Sequence, residues 1–556
     1  MRKLHKKNLK RFLIIVSVFV IFTIFSTSVY AAGGVLDQVK SLIKSYYVYD
    51  VPQEALNAET VEDAVKALKD PYSEYFSAEE FDDFINSIDM KVSGIGISIE
   101  IVPDGIKVVS VMKGQPAEAS GITEGDIIIN ADGHTLKGMT SLEATSYIRG
   151  EEGTVVKLVV KRGTNLLNFS ITRKIIEAPT VMSKVLEGNT GYIGIASFGE
   201  KTPYEFKNNL MYLKSKAVDG YIVDLRNNGG GYMNAAVNIA EYFIGQRISL
   251  ITENKNGNRE VYSELDNGIE IDKPVIFLIN ENSASASEIL SAAVKDYSKA
   301  FFVGKTTYGK GVAQSMFSLS DGGVIKLTTM KFYSPKENII HKKGISPDLD
   351  TGDMDALLAA ELLLGKSKAG LDKRGFIKVS IGNRSYDIDI NRAKKPEYND
   401  AFKCIMDLSS SQICIGTQNG WQSIVKNNDE YWNLYFCGNT AVNSILNVPT
   451  DKKFMVSFSK DVSKATVNGD TIKLVRALTG EKISVKFEFL NGKQVKVLPE
   501  KPLNAGENYY LVIDKTIKSL NGSGMARGTV TKIKVEMDLS IISFIRNVNE
   551  RIRLAK

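Results

Sequence analysis

Three short segments concentrate the residues able to do chemistry. The first, Asn282-Ser-Ala-Ser-Ala-Ser-Glu288, follows an apolar run at 274–280 and leads into an apolar helix. Hydroxyls presented where a strand turns into a helix sit beside unpaired backbone N–H groups and the positive end of the helix dipole, a good place to stabilise an oxyanion. Ser285 and Glu288 also have the spacing of a capping box, and helix caps far outnumber nucleophiles. The second segment, Tyr221-Ile-Val-Asp-Leu-Arg-Asn-Asn-Gly-Gly-Gly231, carries a buried strand into three glycines. Turns free of side chains let backbone N–H groups approach a substrate. A plain tight turn and a phosphate loop are the rival readings, but no GxGxxG is present, and Lys299 stands where a Walker loop ending at Lys305-Thr306 needs its first glycine. In the third segment, Gly304-Lys-Thr-Thr-Tyr-Gly-Lys-Gly-Val-Ala-Gln314, Lys310 lies between two glycines with apolar neighbours. A desolvated lysine loses basicity and can serve as a general base, although a solvated loop lysine is the commoner fate.

Other side chains narrow the chemistry. The chain of 556 residues has three histidines, His5, His134 and His341. No HExxH is present, and a Ser-His-Asp triad would have to use His134 or His341. The three cysteines, Cys404, Cys414 and Cys437, form no CxxC, so no metal is expected. An exported chain permits one disulfide among them, and the odd thiol reads as a buried small hydrophobe.

Six of the 70 Lys and Arg lie in the first eleven residues, which leaves 64 to match the 64 Asp and Glu. The basic balance is therefore a property of the N-terminus and not a nucleic-acid footprint. That basic stretch runs into an apolar segment at 12–25, with Val29 and Ala31 as small residues before a cleavage point. This is the pattern of a secretory signal over 1–31, with an uncleaved anchor as the alternative; either way the remainder is exported, to the exterior or to the cell envelope at the outer face of the cytoplasmic membrane.

The elements that must position the three segments follow from periodicity. Helical spacing at 35–48 and 61–68, with Thr60 as N-cap, ends at Asp70-Pro71-Tyr72. Short strands and glycine turns fill 92–173. From 190 to 350 strands alternate with helices, which implies a mainly parallel α/β sheet. A helix at 356–364 and a linker-like stretch lead to a mixed, β-leaning module at 367–447, and period-2 runs from 450 to 536 suggest a β-sandwich.

Taken together, the chemical segments resemble the C-terminal processing peptidases, the tail-specific serine proteases of family S41. The resemblance rests on Asp224-Leu-Arg-Asn-Asn-Gly-Gly-Gly231, Asn282-Ser-Ala-Ser-Ala-Ser-Glu-Ile289, Thr307-Tyr-Gly-Lys-Gly-Val-Ala-Gln314 and Gly344-Ile-Ser-Pro-Asp348, in that order. It implies a crotonase-like α/β core over 176–366, Ser285 as nucleophile, Lys310 as base and Gln314 as the residue that orients it. It also implies oxyanion donors at the N–H of Ala286 and of Gly230, and no cofactor. Gly229 stands where the family usually has proline. Asp296 matches a family acid with a structural role, and the shortage of histidine fits a Ser-Lys dyad. Asp70-Pro-Tyr-Ser-Glu-Tyr-Phe76 resembles the family's N-terminal helical region, here 32–87.

Ser93-Gly-Ile-Gly-Ile97 and Gly121-Ile-Thr-Glu-Gly-Asp-Ile-Ile-Ile-Asn-Ala-Asp-Gly133 resemble a PDZ domain, inserted at 88–175. Consecutive N–H groups around Gly94, Ile95, Gly96 and Ile97 would form a nest for a C-terminal carboxylate, beside a strand edge open to an extended peptide. The 448–537 segment resembles a bacterial Ig-like domain, and 538–556 reads as a tail with a helical candidate at 541–554. The expectation is an exported serine endopeptidase acting through an acyl-enzyme on proteins or peptides with unstructured C-termini, with no nucleic-acid partner. An uncleaved leader would attach it to a membrane, and a homodimer is left open. The alternative is a non-catalytic PDZ scaffold of the envelope.

Overall fold

The computed structural model describes residues 34–263, 268–367 and 369–537. The leader and the C-terminal helical candidate lie outside the described residues. The chain divides into two compact units, one ending at Pro347 and one beginning at Asp348.

The first unit is organised by a sheet in which β1 (Val181–Leu186) pairs antiparallel with β2 (Thr190–Ile195). β2, β3 (Gly220–Asp224), β4 (Val275–Ile279) and β5 (Phe301–Gly304) then run parallel in that order. β3 and β4 are buried at every position. Strands covered on both faces read as near-continuous apolar runs, broken here only at Asp224, which is why the sequence marks them. Three helices pack on the sheet: α1 (Thr202–Ser215), α2 (Met233–Ile244) and α3 (Ala286–Asp296). Full burial of each Ile, Val or Phe here contributes about 1.5–3 kcal/mol.

A second sheet carries the lysine segment. β6 (Val312–Ser318) pairs antiparallel with β7 (Val324–Tyr333), whose other neighbours are Leu250–Asn254 and Glu74–Phe76. The pairing register shifts between Ala313 and Gln314, where Thr329 of β7 is the extra residue. The N-terminal helices Val35–Tyr46 and Val61–Lys66 pack beside β7 through Val39, Ile43, Val65, Ile325 and Leu327. Thr60 caps the second of them, accepting the Asp63 N–H at 3.1 Å.

The glycine-rich insertion is a sheet of strands 97–102, 105–111, 127–131, 155–162 and 165–172, with helices Pro116–Ala119 and Ser141–Ile148. Its entry and exit, Lys91–Gly94 and Lys174–Glu177, pair antiparallel as a two-stranded stem.

In the second unit, helix Ala356–Leu363 precedes an antiparallel sheet ordered Arg384–Asp389, Phe376–Ile381, Gln412–Thr417, Gly420–Val425, accompanied by helix Asn399–Leu408. A two-sheet sandwich follows, closed over Phe454, Ile472, Val497, Tyr509 and Ile533. Its first sheet takes in Thr440–Val448, which begins before the boundary at 448 expected from the sequence. That strand is exposed at every position but its last, so it shows no alternation to read. Cys404, Cys414 and Cys437 are all free, so the disulfide that export would permit is not formed. Burial pushes the thiols of Cys404 and Cys437 up, the latter to about 11, which keeps them protonated and inert.

Candidate active site

Ser285 is the residue at which β4 turns into α3. Its backbone adopts φ 56° and ψ −113°, a conformation that an L-residue holds only when its surroundings impose it. Asn228 supplies part of that force. It is fully buried, its Oδ1 accepts the Gly230 N–H at 2.9 Å, and its Nδ2 donates to the Ile195 carbonyl at 2.8 Å. Its own carbonyl accepts the Ala284 N–H at 3.0 Å and the Ser287 hydroxyl at 2.9 Å. Ser283 Oγ donates to the Leu225 carbonyl at 2.8 Å, so the alternate serines fasten the turn to the end of β3 while Ser285 stands between them.

The glycine turn lies against this one. A Cβ on Gly230, whose φ is 110°, would fall 2.7 Å from Ser285 Cβ and 3.0 Å from Ala286 N, whereas one on Gly229 would meet nothing within 4 Å. Gly229 therefore has room for the bulkier residue usual in the family. Gly230 N–H is held by Asn228, while among the described residues Ala286 N–H, at the first position of α3, has no acceptor. Asp224 accepts three bonds from the Arg226 side chain, two of them shared by Nε, and one from the Tyr192 hydroxyl at 2.9 Å, which stiffens the strand end below the turn.

Glu288 ties the serine turn to the lysine loop. Its carboxylate is wholly buried. Oε2 accepts the N–H groups of Ser285 at 2.9 Å and Lys310 at 2.8 Å; Oε1 accepts the Gly309 N–H at 2.7 Å and the Thr307 hydroxyl at 2.6 Å. Burial pushes this carboxyl above its usual range, against the four hydrogen bonds that favour its charged form. Only the glutamate half of the expected capping box is made: Glu288 accepts the Ser285 N–H, while the Glu288 N–H goes to the Ser285 carbonyl at 2.8 Å and not to its hydroxyl, and the same carboxylate fixes the loop that carries the lysine.

The glycines around Lys310 are required by packing. A Cβ on Gly311 would lie 2.3 Å from His341 N, and one on Gly309 would lie 3.1 Å from Gly344 N. Lys310 itself is half-buried. Burial, then the nearby charge of Lys326, brings its amine down to about 8, against the pull of Asp70 and Glu288. Among the described residues no hydrogen bond joins Lys310 Nζ to Ser285 Oγ, and Gln314 Nε2 donates to Thr328 Oγ1 at 3.2 Å rather than to the lysine. His341 is half-buried, with Nε2 3.3 Å from the Tyr49 hydroxyl. The packing of 341–344 on the Gly309–Gly311 turn is what covers it. His134 is exposed and stacked on Tyr147. Asp296 accepts from Lys336 N at 2.8 Å and Asn338 Nδ2 at 3.0 Å, holding a loop.

The loop at Gly94–Ile97 joins strand Lys91–Gly94 to strand Ile97–Val102. Gly96 has φ 83°, and neither Ile95 nor Gly96 N–H donates to a backbone carbonyl among the described residues. Ile95 is buried and anchors the loop. Strand Ile97–Val102 lies at the edge of its sheet, paired among the described residues with Gly105–Val111.

Known proteins match these parts. The model for peptidase family S41 matches 189–351, that for a PDZ domain 93–172, and that for a bacterial Ig-like domain 438–536. The carboxy-terminal processing protease CtpA of Bacillus subtilis (strain 168) is 37% identical over 316 residues, covering 56% of this chain and 68% of that protein. The chain belongs to peptidase family S41. It is a serine-type peptidase with a PDZ domain and an Ig-like extension. A probable CtpA-like serine protease of Staphylococcus aureus is 33% identical over 360 residues, 64% of this chain and 72% of that one. Among solved structures, a photosystem II D1 C-terminal processing protease aligns at 25% identity with a TM-score of 0.38, over 57% of this chain and 92% of that one.

The sequence singled out Ser285, Lys310, Gly230 and Ala286, and the structure brings their segments together around Glu288. It did not single out Asn228, Thr328 or Tyr72. Asn228 sits inside a quoted motif, where its burial was invisible; Thr328 lies on a strand with no motif at all.

Proposed function

We propose that the peptidase cleaves proteins near their C-termini with Ser285 as nucleophile and Lys310 as general base. The neutral amine takes the Ser285 proton as Oγ attacks the scissile carbonyl. The resulting oxyanion is met by the Ala286 N–H at the start of α3 and by Gly230 N–H once it exchanges Asn228 for the substrate. Collapse to the acyl-enzyme sends the proton from Lys310 to the departing amine, and water, deprotonated by the same lysine, releases the acid product. Gln314 orients the amine when Lys310 swings toward Ser285. The observation that carries this reading is the Glu288 carboxylate, which accepts N–H groups from both Ser285 and Lys310. At neutral pH an amine titrating near 8 is about one-tenth unprotonated, roughly 300 times more than an ordinary lysine.

Substrates are proteins or peptides with unstructured C-terminal tails, seated on the Gly94–Ile97 loop and added as a strand beside Ile97–Val102. An exported protein at the cell envelope suits such a role, with the Ig-like module as a spacer; among the described residues no helix is long and apolar enough to cross a membrane. The domain limits read from the sequence, 88–175 for the PDZ insertion and 176–366 for the core, are kept in this proposal.

Incubating the purified protein with an unstructured test protein decides the matter. Ser285→Ala and Lys310→Ala are each expected to abolish cleavage while folding, followed by circular dichroism, is retained. Full activity in Lys310→Ala ends the dyad assignment, and no cleavage by wild type under any pH tried would leave the non-catalytic scaffold.

A further inference from the structure

The Lys310 side chain ends against a residue that the proposed chemistry leaves unused. Its Nζ lies 4.9 Å from the centroid of the Tyr72 ring, in the turn between helix Val61–Lys66 and strand Glu74–Phe76. That turn is held by its own carboxylate: Asp70 Oδ1 accepts the Tyr72 N–H at 3.1 Å, and Oδ2 accepts the Ser73 hydroxyl at 2.6 Å. Ser73 Oγ accepts the Thr328 N–H at 3.0 Å, and Thr328 Oγ1 is the acceptor of the Gln314 amide. One turn therefore reaches both side chains assigned to proton transfer, Lys310 through the Tyr72 ring and Gln314 through Ser73 and Thr328. Neither contact includes Ser285.

We propose that Tyr72 is a positioning residue for the base: its ring face parks the protonated Lys310 apart from Ser285, and loss of the proton frees the amine to reach the hydroxyl. This rests on the assignment of Lys310 as base. The physical reason is selectivity for charge. An aromatic face attracts an ammonium through its quadrupole but has no such hold on a neutral amine. The ring thus binds the form of Lys310 that is unable to act as a base.

The surroundings keep that ring neutral and the lysine under opposing fields. Burial, then the Tyr308 side chain, raises the Tyr72 phenol above its ordinary value, so the face stays an uncharged phenol at working pH. Facing Lys310 are Lys326 from β7, which repels it, and Asp70 from the turn and Glu288 from α3, which attract it. Tyr308 lies on the lysine's own loop. Lys326 is fixed in turn by Glu74 at 2.8 Å and by the rings of Phe76 and Phe84 at 4.8 and 4.6 Å. Every group but Glu288 that acts on the amine is thus carried or braced by the N-terminal segment or the lysine loop.

The test follows kcat/KM for cleavage of an unstructured protein by the full chain from about pH 6 to about pH 10, where the acid limb reports the free enzyme's base. Four forms are compared: wild type, Tyr72→Phe, Tyr72→Leu, and a protein carrying pentafluorophenylalanine at 72, which keeps the ring shape without its negative face. In the leucine and fluorinated forms the acid limb is expected to move down by about 0.4–1.5 pH units, the shift equivalent to the usual strength of a cation over a ring. Tyr72→Phe, which retains the face, is expected to leave it in place. A uniform rate loss at every pH with an unmoved limb would show that Tyr72 only packs, and so would a limb that moves upward. The fluorinated form carries the readout if leucine impairs folding. Lys310→Ala, measured alongside, separates the two levels: activity there overturns the base assignment, whereas an inactive Lys310→Ala with an unmoved limb in the fluorinated form sinks the parking role alone.

Discussion

Replacing Glu288 by glutamine tests whether one buried carboxylate holds the nucleophile and the base in register. Each carboxylate oxygen accepts two donors, the Ser285 and Lys310 N–H groups on one side, Gly309 N–H and the Thr307 hydroxyl on the other. A glutamine fits the same space, but one end of its amide only donates. With that end toward Ser285 and Lys310, two buried N–H groups lose their acceptor, at about 1–3 kcal/mol each. Turned the other way, Gly309 N–H is orphaned and the Thr307 hydroxyl must rotate, while Ser285 and Lys310 keep only neutral hydrogen bonds. The second arrangement is cheaper. It sets the expected loss at about 2–4 kcal/mol, a large share of the roughly 5–15 kcal/mol that holds a domain folded. Denaturant unfolding of the Ser285→Ala background measures this without self-cleavage. In the active background kcat is expected to fall by about 10–100-fold, because the two reacting groups lose their common anchor. A Glu288→Gln protein with wild-type unfolding and wild-type kcat would refute the clamp.

Other outcomes follow from single observations. Neutral Lys310 accumulates as pH rises through about 8, so kcat/KM should climb to a plateau across that value and not near pH 6.5, as a histidine base would give. The same group should leave a stability signature. Its folded value lies below the unperturbed 10.5, so between about 8 and 10.5 the unfolded chain binds the proton more tightly and stability rises with pH; Lys310→Met should flatten that rise in denaturant melts. Gly230→Ala should abolish cleavage, since its Cβ would lie 2.7 Å from that of Ser285, while Gly229→Ala, with open space, should cleave at close to the wild-type rate. Gly96→Val, which drives a side chain to within 2.4 Å of Gln115 Cβ at a positive φ, should weaken binding of a C-terminal peptide at least about tenfold by calorimetry. The same peptide amidated at its C-terminus should bind wild type as poorly; equal affinity of acid and amide forms would remove the carboxylate nest.

Much of the fold was legible because burial leaves a period in the chain. The apolar stretches Tyr221–Val223 and Val275–Ile279 became strands buried on both faces, and the spacing at 35–48 and 61–68 became helices with one covered side. Thr440–Val448 was missed for the converse reason: a strand exposed along its length has no inward set of residues to alternate. The mixed, β-leaning module at 367–447 resolves into an antiparallel sheet with helices, joined from strands too short and half-buried to declare their pairing. The three free thiols could not be foreseen, because pairing depends on which elements meet and not on how many cysteines there are.

What the amino-acid order determined alone is the chemistry on offer: a serine at a strand-to-helix turn, a lysine between two glycines, a glycine turn and a peptide-reading loop, each written in contiguous residues. Their local geometry follows from backbone sterics, and so it survives in the sequence as motif. What only the folded chain decided is who holds whom. Glu288 bonds two loops at once, Asn228 pins one turn to another, and Tyr72 meets Lys310 across most of the first unit. Such contacts join residues far apart in the chain through a handful of directional bonds, and their partners are set by packing in space, which leaves no period and no spacing behind.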